Sequence, residues 1–201
     1  DTLDTLSGSR LYSTLDLASG YWQVELTDKA KELSAFCSRK GLFEWNVMPF
    51  GLCNAPGTFQ RLMDRVLTGL QWQVALVYLD DIIVISNSVT VMFENLRYVF
   101  DRLRSAGLKL KPSKCQLFQR KVKYLGHVIS QDGVSTDPEK IKEVENWPVP
   151  RNIHELRKFL GFANYYRRYV QNFSIICTPL YELTQRVNLF GPMNVKVHLR
   201  N

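Results

Sequence analysis

Two neighbouring acids, Asp80 and Asp81, stand between the apolar runs of "VALVYLDDIIVIS". Adjacent carboxylates repel, and a partly buried one acquires a raised pKa unless a cation offsets it. A divalent ion is the natural offset. Mg²⁺ prefers oxygen ligands, takes one or two carboxylates from a protein, and completes its octahedron with water and substrate phosphates. Asp is also a common turn residue, so two acids between two strands equally fit a solvated hairpin tip. What separates the readings is whether the chain supplies a further carboxylate and a reason to hold phosphates.

The flanking pattern says which elements would position these acids. "RLYSTLDL" alternates as a strand, with Leu11, Ser13, Leu15 and Leu17 on one face and Tyr12, Thr14 and Asp16 on the other. "MPFGLCNAP" has loop punctuation, and Phe59, Leu62, Met63, Val66 and Leu67 then share a helical face that Gly69 stops. The acidic hairpin follows. "MFENLRYVFDRLRSAG" places Phe93, Leu96, Phe100 and Leu103 at helical spacing, and Gly107 ends it before the alternating "LKLK" and Pro112. Strand, helix, hairpin, helix, strand is a βαββαβ-like order, which predicts an α+β split sheet with helices on one face.

In that sheet Asp16 sits at a strand end, and adjacent strands can bring it to Asp80. The carboxylates of Asp16, Asp80 and Asp81 should then converge within a metal's reach. Two ions held there would activate an attacking hydroxyl and stabilise the leaving oxygen of an in-line phosphoryl displacement. Structural hairpin acids remain the alternative on pattern alone.

The chain has 201 residues, 45% of them hydrophobic and 12% aromatic, which is the composition of a folded globule. Its formal net charge of +7 favours an anionic partner such as nucleic acid or a membrane surface. The four cysteines (Cys37, Cys53, Cys115, Cys177) form no C-x-x-C pair, which points away from a zinc ribbon and towards a reducing, intracellular setting. No apolar run reaches the roughly 18 residues of a membrane span. The start, "DTLDTLSGSR", has neither a Met nor a signal-peptide pattern, so the chain reads as part of something longer.

After "VKYLGHVISQDG" the composition shifts, and a small helical subdomain is expected from about position 131. Asp137 before Pro138 is a helix start, and Asn152 with Glu155 resembles a capping box opening "IHELRKFLGFANYYRRYV". Leu156, Phe159, Leu160, Ala163 and Val170 should form that helix's buried face. The cluster of Tyr165, Tyr166, Arg167, Arg168 and Tyr169 fits either a nucleic-acid backbone contact or a half-buried face with snorkelling arginines.

Five blocks in order, "LDLASGYWQV", "MPFGLCNAPGTFQ", "YLDD", "GLKLKPSKC" and "KYLGHVIS", resemble those of a reverse transcriptase. "VMPFGLCNAPGTFQRLM" and "FLGFANYYRRYVQNF" resemble the gypsy-type long-terminal-repeat retrotransposons, whose enzyme is part of a Pol polyprotein. The resemblance runs to about Thr184. It implies a right-hand polymerase palm over 1–130 with partial fingers at about 25–53, a helical thumb and start of the connection over 131–184, and a divergent tail at 185–201.

The resemblance also implies roles. Asp16, Asp80 and Asp81 match the catalytic, metal-binding acids, with the Leu17 carbonyl facing a metal, and two Mg²⁺ ions, or Mn²⁺ in their place, as cofactors. Tyr21 matches the aromatic that excludes ribonucleotides, Phe50 and Gly51 the loop under the incoming nucleotide, and Lys114 a basic residue that aids pyrophosphate departure. Tyr78 should lie against the primer end, and Leu125 and Gly126 match the hairpin gripping the primer terminus. For Tyr21 and Tyr78 a core aromatic, for Gly51, Leu125 and Gly126 a plain turn, and for Lys114 a solvated charge are the bland alternatives. The implied partners are an RNA or DNA template with primer, a deoxynucleoside triphosphate, and the ribonuclease H, integrase and protease of a parent polyprotein. The implied location is a cytoplasmic virus-like particle with a nuclear phase, and no membrane. The sequence departs from the family in lacking the N-terminal fingers, in "RVNLFGPMNVKVHLRN" after Gln185, and mildly at Gly57 and Met92.

Overall fold

In the computed structural model, which describes residues 3–185, the alternating stretch forms strand β1 (Leu11–Asp16). Its faces divide as the alternation predicts, but both are buried: Leu15 and Leu17 on one side, Tyr12 on the other. Helix α1 (Asp28–Leu33) and a hairpin of β2 (Phe36–Ser38) and β3 (Gly41–Phe43) follow, with every hairpin strand residue exposed.

Helix α2 (Ala55–Val66) carries Pro56 in its first turn, where the missing N–H costs nothing. It buries Phe59 and Met63 completely, with Leu62 and Val66 packed alongside. The hairpin of β4 (Ala75–Tyr78) and β5 (Asp81–Ser86) comes next. Helix α3 (Val89–Ser105) starts on Ser88, whose Oγ accepts the Val91 N–H at 3.3 Å. It ends in a Schellman motif: Leu108 N–H donates to the Leu103 carbonyl at 2.9 Å, Gly107 N–H to that of Arg104 at 3.0 Å, and Gly107 has φ +70°. The buried face of α3 is Met92, Leu96, Val99 and Leu103, not the Phe93-centred face expected from spacing. One residue turns a helix by about 100°, so Phe93 is carried off the core and is 62% exposed. Its ring packs instead on Phe118, with centroids 4.7 Å apart.

The strands completing the first unit are β6 (Gln116–Gln119), β7 (Lys121–Tyr124) and β8 (His127–Ser130), and β9 (Gly133–Thr136) carries the chain onward. The expected last strand at "LKLK" is only an isolated bridge between Leu17 and Leu110. Pro112 lacks a ladder donor and opens the 3-10 turn Pro112–Lys114, so β6 takes the sheet edge.

The main sheet has the order β4-β5-β1-β6, the arrangement expected of a βαββαβ chain. One face carries α2 and α3 over Leu15, Leu17, Ala75, Ile82 and Val84. On the other face Tyr12, Leu76 and Ile83 pack with Val122, Tyr124 and Ile129 of β7 and β8. In the antiparallel pairing of β1 with β5, Tyr12 faces Ile85, Thr14 faces Ile83 and Asp16 faces Asp81. Directly paired residues share a face, so the two acids stand on the side away from the helices.

The chain divides between Val134 and Ser135 into two units. The second holds α4 (Pro138–Glu145), α5 (Ile153–Tyr165) and α6 (Phe173–Gln185). Asp137 accepts the Glu139 N–H at 3.0 Å, and Asn152 accepts the Glu155 N–H at 2.9 Å. Leu156, Leu160, Cys177 and Leu180 form the core, flanked by Phe159, Phe173 and Leu183. Helix α5 is shorter than expected: it stops at Tyr165, Arg167–Tyr169 form a 3-10 turn, and Val170 is 43% exposed rather than buried. The break lets α6 return along α5, where Arg157 donates to the Thr184 carbonyl at 3.3 Å. Apart from Gln185, the tail read as divergent lies outside the described residues.

Candidate active site

Asp16 ends β1 and Asp81 begins β5, so the ladder itself sets the two acids opposite each other. Like charges directly opposed in a sheet destabilise it, which argues for a purpose other than folding. Burial, then the charges of Asp80 and Asp16, push the Asp81 carboxyl up, and Lys114 opposes them. The Lys114 ammonium donates to Asp16 Oδ2 at 2.9 Å. Asp16 Oδ1 is buried and accepts no hydrogen bond.

Asp80 occupies the two-residue turn with Leu79, whose φ of +55° is unusual for a bulky side chain. Two contacts hold the turn. The Gln60 side-chain carbonyl accepts the Leu79 N–H at 2.7 Å, and the Asp80 carbonyl accepts the Leu17 N–H at 3.2 Å. Since N–H and C=O of one extended residue point the same way, the Leu17 carbonyl also faces the acidic hairpin. Ala18 N–H to the Lys109 carbonyl at 2.9 Å, and Lys111 N–H to the Asp16 carbonyl at 2.8 Å, fix the opposite side. Gln23 reinforces that side, donating to the Ala18 carbonyl at 2.8 Å and accepting the Lys109 N–H at 2.7 Å.

The other residues singled out in the sequence sort into two groups. Tyr21 lies close enough to Asp80 and Tyr78 that, after burial, their charges raise its phenol pKa. Its ring is 5.1 Å from that of Phe50 and 5.4 Å from that of Phe59. Phe50 is exposed, and Gly51 after it has φ +96°, a conformation glycine adopts freely. Tyr78 pairs with Asp81 across the hairpin and is more than half exposed. Leu125 and Gly126 form the turn between β7 and β8 with φ +48° and +73°. Tyr124, just before that turn, donates its hydroxyl to the Asp81 carbonyl at 3.2 Å; burial and then Asp81 push its phenol up.

The donor set suits a hard divalent ion: oxygen ligands only, one buried carboxylate oxygen without a partner, and an acid whose charge is offset only in part. Among the described residues no three His, Cys, Asp or Glu side chains are gathered at metal-holding separation. What the ladder does set together is Asp16 opposite Asp81, with Lys114 on Asp16.

Sequence reasoning missed Gly20, Gln23, Gln60 and Tyr124. A Cβ at Gly20 would stand 2.7 Å from Phe59 Cζ and 3.3 Å from Asp80 Cβ, so only glycine lets the chain pass between them. A glutamine beside the buried Phe59 is the one visible signal for Gln60, a polar group on the inner side of an amphipathic helix.

Comparison with known proteins agrees with this architecture. Residues 1–129 match the family described as "Reverse transcriptase (RNA-dependent DNA polymerase)". The Pol polyprotein of transposon 297 of Drosophila melanogaster is 38% identical over 180 residues, covering 90% of this chain and 17% of that protein. The Pol polyprotein of transposon gypsy, from the same organism, is 34% identical over 92% of this chain and 18% of its own length. The chain therefore spans less than a fifth of either relative. Foamy viral protease-reverse transcriptase solved with double-stranded DNA superposes with a TM-score of 0.83 at 31% identity, over 92% of this chain and 32% of that one. The same enzyme solved with an RNA/DNA hybrid gives 0.82 at 30% identity, over 94% and 25%. The match over residues 1–129 and the identities of 34% and 38% over nine-tenths of the chain agree with the superposition, and the chain belongs to the reverse transcriptase family, among Pol polyproteins of gypsy-type transposons.

Proposed function

We propose that the chain is the polymerase core of a Pol polyprotein and joins deoxynucleotides to a primer on an RNA or DNA template. The observation that carries this is the pairing of Asp16 with Asp81, with Asp80 one residue away, on a helix-free face. Asp16, Asp80, Asp81 and the Leu17 carbonyl would hold two Mg²⁺ ions, or Mn²⁺ in their place, and these would supply a lowered pKa for the primer 3′-hydroxyl and neutralisation of charge on the triphosphate. The chain's own groups do the rest. Tyr21, its ring tilted against that of Phe50, borders the sugar of the incoming nucleotide and leaves no room for a 2′-hydroxyl. Gly51 lets the backbone approach the nucleotide. Lys114 supplies positive charge on the side where pyrophosphate departs, and Tyr78 with the Leu125–Gly126 turn lies along the primer end. Attack on the α-phosphate, with pyrophosphate leaving, requires the primer to be in line, which these positioning contacts serve.

In this reading 1–130 is the palm with fingers-like residues at about 25–53, and 131–184 is the thumb and start of the connection. Ribonuclease H, integrase and protease would be its neighbours in the parent polyprotein, acting in a cytoplasmic particle with a nuclear phase. The net charge of +7 supports a nucleic-acid partner.

The test is primer extension by the chain and by its parent reading frame, each as wild type and as Asp80→Asn. The substitution keeps the side chain's size and removes its charge. Extension by the parent protein that falls by at least about a hundredfold in the variant, with duplex binding retained, supports the proposal. A parent protein that binds template-primer and extends nothing would instead mark a nucleic-acid-binding remnant.

A further inference from the structure

We infer that the Lys114 ammonium is a built-in counter-ion of Asp16, which a divalent cation must displace before Asp16 can bind it. The inference rests on the metal-site reading above and adds a competitor to it. The Asp16 carboxylate offers two oxygens: Oδ2 receives the ammonium at 2.9 Å, and Oδ1 is buried without a partner. An ion at the usual distance of about 2.1 Å from these oxygens would stand within a few ångströms of the ammonium. Two cations so close repel, so one must leave.

The two partners are unequally held, which decides which one moves. The Asp16 side chain is 17% exposed, that of Lys114 55%. Asp16 is also fixed through its backbone, by its pairing with Asp81 and by the Lys111 N–H on its carbonyl at 2.8 Å. Lys114 sits at the end of the Pro112–Lys114 turn on a flexible four-carbon stem. Its ammonium can swing into water with little loss of solvation, whereas the carboxylate stays. While the ammonium is in place, it offsets the acids gathered at one end of the two central strands. Lys114 is therefore a positioning residue for the metal-free protein and an obstacle to the first ion.

The experiment measures Mn²⁺ binding to the 201-residue chain, by the resonance signal of the free aqueous ion, at low salt. Four variants are compared with wild type: Lys114→Met, Lys114→Arg, Lys111→Met and Asp16→Asn. Lys111→Met removes an equal charge nearby and leaves its backbone bond to Asp16 in place. The inference expects Lys114→Met to tighten Mn²⁺ about two- to fivefold, the scale of one half-exposed ion pair. Lys114→Arg should bind like wild type, and Lys111→Met should change affinity less than Lys114→Met does. Affinity in Lys114→Met that is unchanged, weaker, or no tighter than in Lys111→Met overturns the inference while Asp16→Asn still loses binding. Binding that survives Asp16→Asn overturns the metal-site reading itself, and the counter-ion role with it. Circular dichroism of each variant checks that the fold is kept, which the exposure of Lys114 favours.

Discussion

The side-chain carbonyl of Gln60 accepts the backbone N–H of Leu79 at 2.7 Å, joining α2 to the turn that carries Asp80. The same side chain donates to Asp64 Oδ1 at 2.9 Å, and Gln71 donates to that oxygen at 3.0 Å, so the amide orientation is fixed from both ends. Leu79 pays for its left-handed φ of +55° only because something holds it there. Gln60→Leu leaves the Leu79 N–H without its partner and should destabilise the protein by about 1–3 kcal/mol. Urea unfolding gives the stability, and amide exchange at Leu79 should accelerate more than exchange in β1. Unchanged exchange at Leu79 would mean that the turn holds itself.

A second constraint on Asp80 comes from Gly20. Adding one methyl there meets the ring of Phe59 at 2.7 Å, and Phe59 is completely buried, so it cannot swing aside. Gly20→Ala should cost about 1–3 kcal/mol, as overpacking does. Phe59→Leu should cost stability alone yet partly relieve Gly20→Ala in the double variant. A double-mutant cycle measures this; additive losses would show that the two sites do not touch.

These two residues also show what could be read from sequence. The acids of "YLDD", the strand of "LYSTLD" and the helices on one face of the sheet follow from period and composition, which are local. Gln23 and Gln60 act through backbone groups of distant segments, as when Gln23 meets Lys109, and Gly20 makes room for the side chains of distant Phe59 and Asp80. Nothing in their own neighbourhood marks that. The misplaced face of α3 has a local cause: Phe93 and Phe100 keep helical spacing, but Phe93 finds Phe118 on the edge strand β6, where alternation predicts a strand at "LKLK" instead. Val170 was lost because no signal in "NYYRRYV" announces the turn that ends α5. The pairing of Asp16 with Asp81 required the register of two strands, which the sequence suggested only as adjacency.

The pH response of the metal-free protein should follow Asp81. Burial, Asp80 and Asp16 together raise its carboxyl from the ordinary 3.8. A carboxyl raised in the folded state binds its proton more tightly there than in the unfolded chain. Its contribution to stability is therefore fully present below the ordinary value and is lost as pH rises through the raised one. Asp81→Asn removes the charge, so in EDTA the variant should unfold at higher urea than wild type above that window, and the gap should close as pH falls. A gap that widens towards low pH would contradict the cause assigned to the shift.

The start of α5 offers a test confined to the second unit. Asn152 Oδ1 accepts the Glu155 N–H at 2.9 Å, while Glu155 accepts the Arg151 N–H at 2.7 Å and the Asn152 amide at 2.9 Å. The reciprocal bond thus lands one residue before the cap, on Arg151. Asn152→Ala exposes the first turn of α5 and should cost about 1 kcal/mol of that unit's stability. The bonds from Arg151 and Asn152 hold the Glu155 carboxyl below its ordinary range. Its support is therefore present above the ordinary glutamate value and lost as pH falls through the lowered one. Glu155→Gln should accordingly matter near neutral pH and match wild type in acid, whereas Asn152→Ala should cost stability at both. Amide exchange at Glu155 separates the two, because only Asn152→Ala removes the acceptor of that N–H. Equal acceleration in both variants at neutral pH would mean that the cap depends on the carboxylate rather than on Asn152.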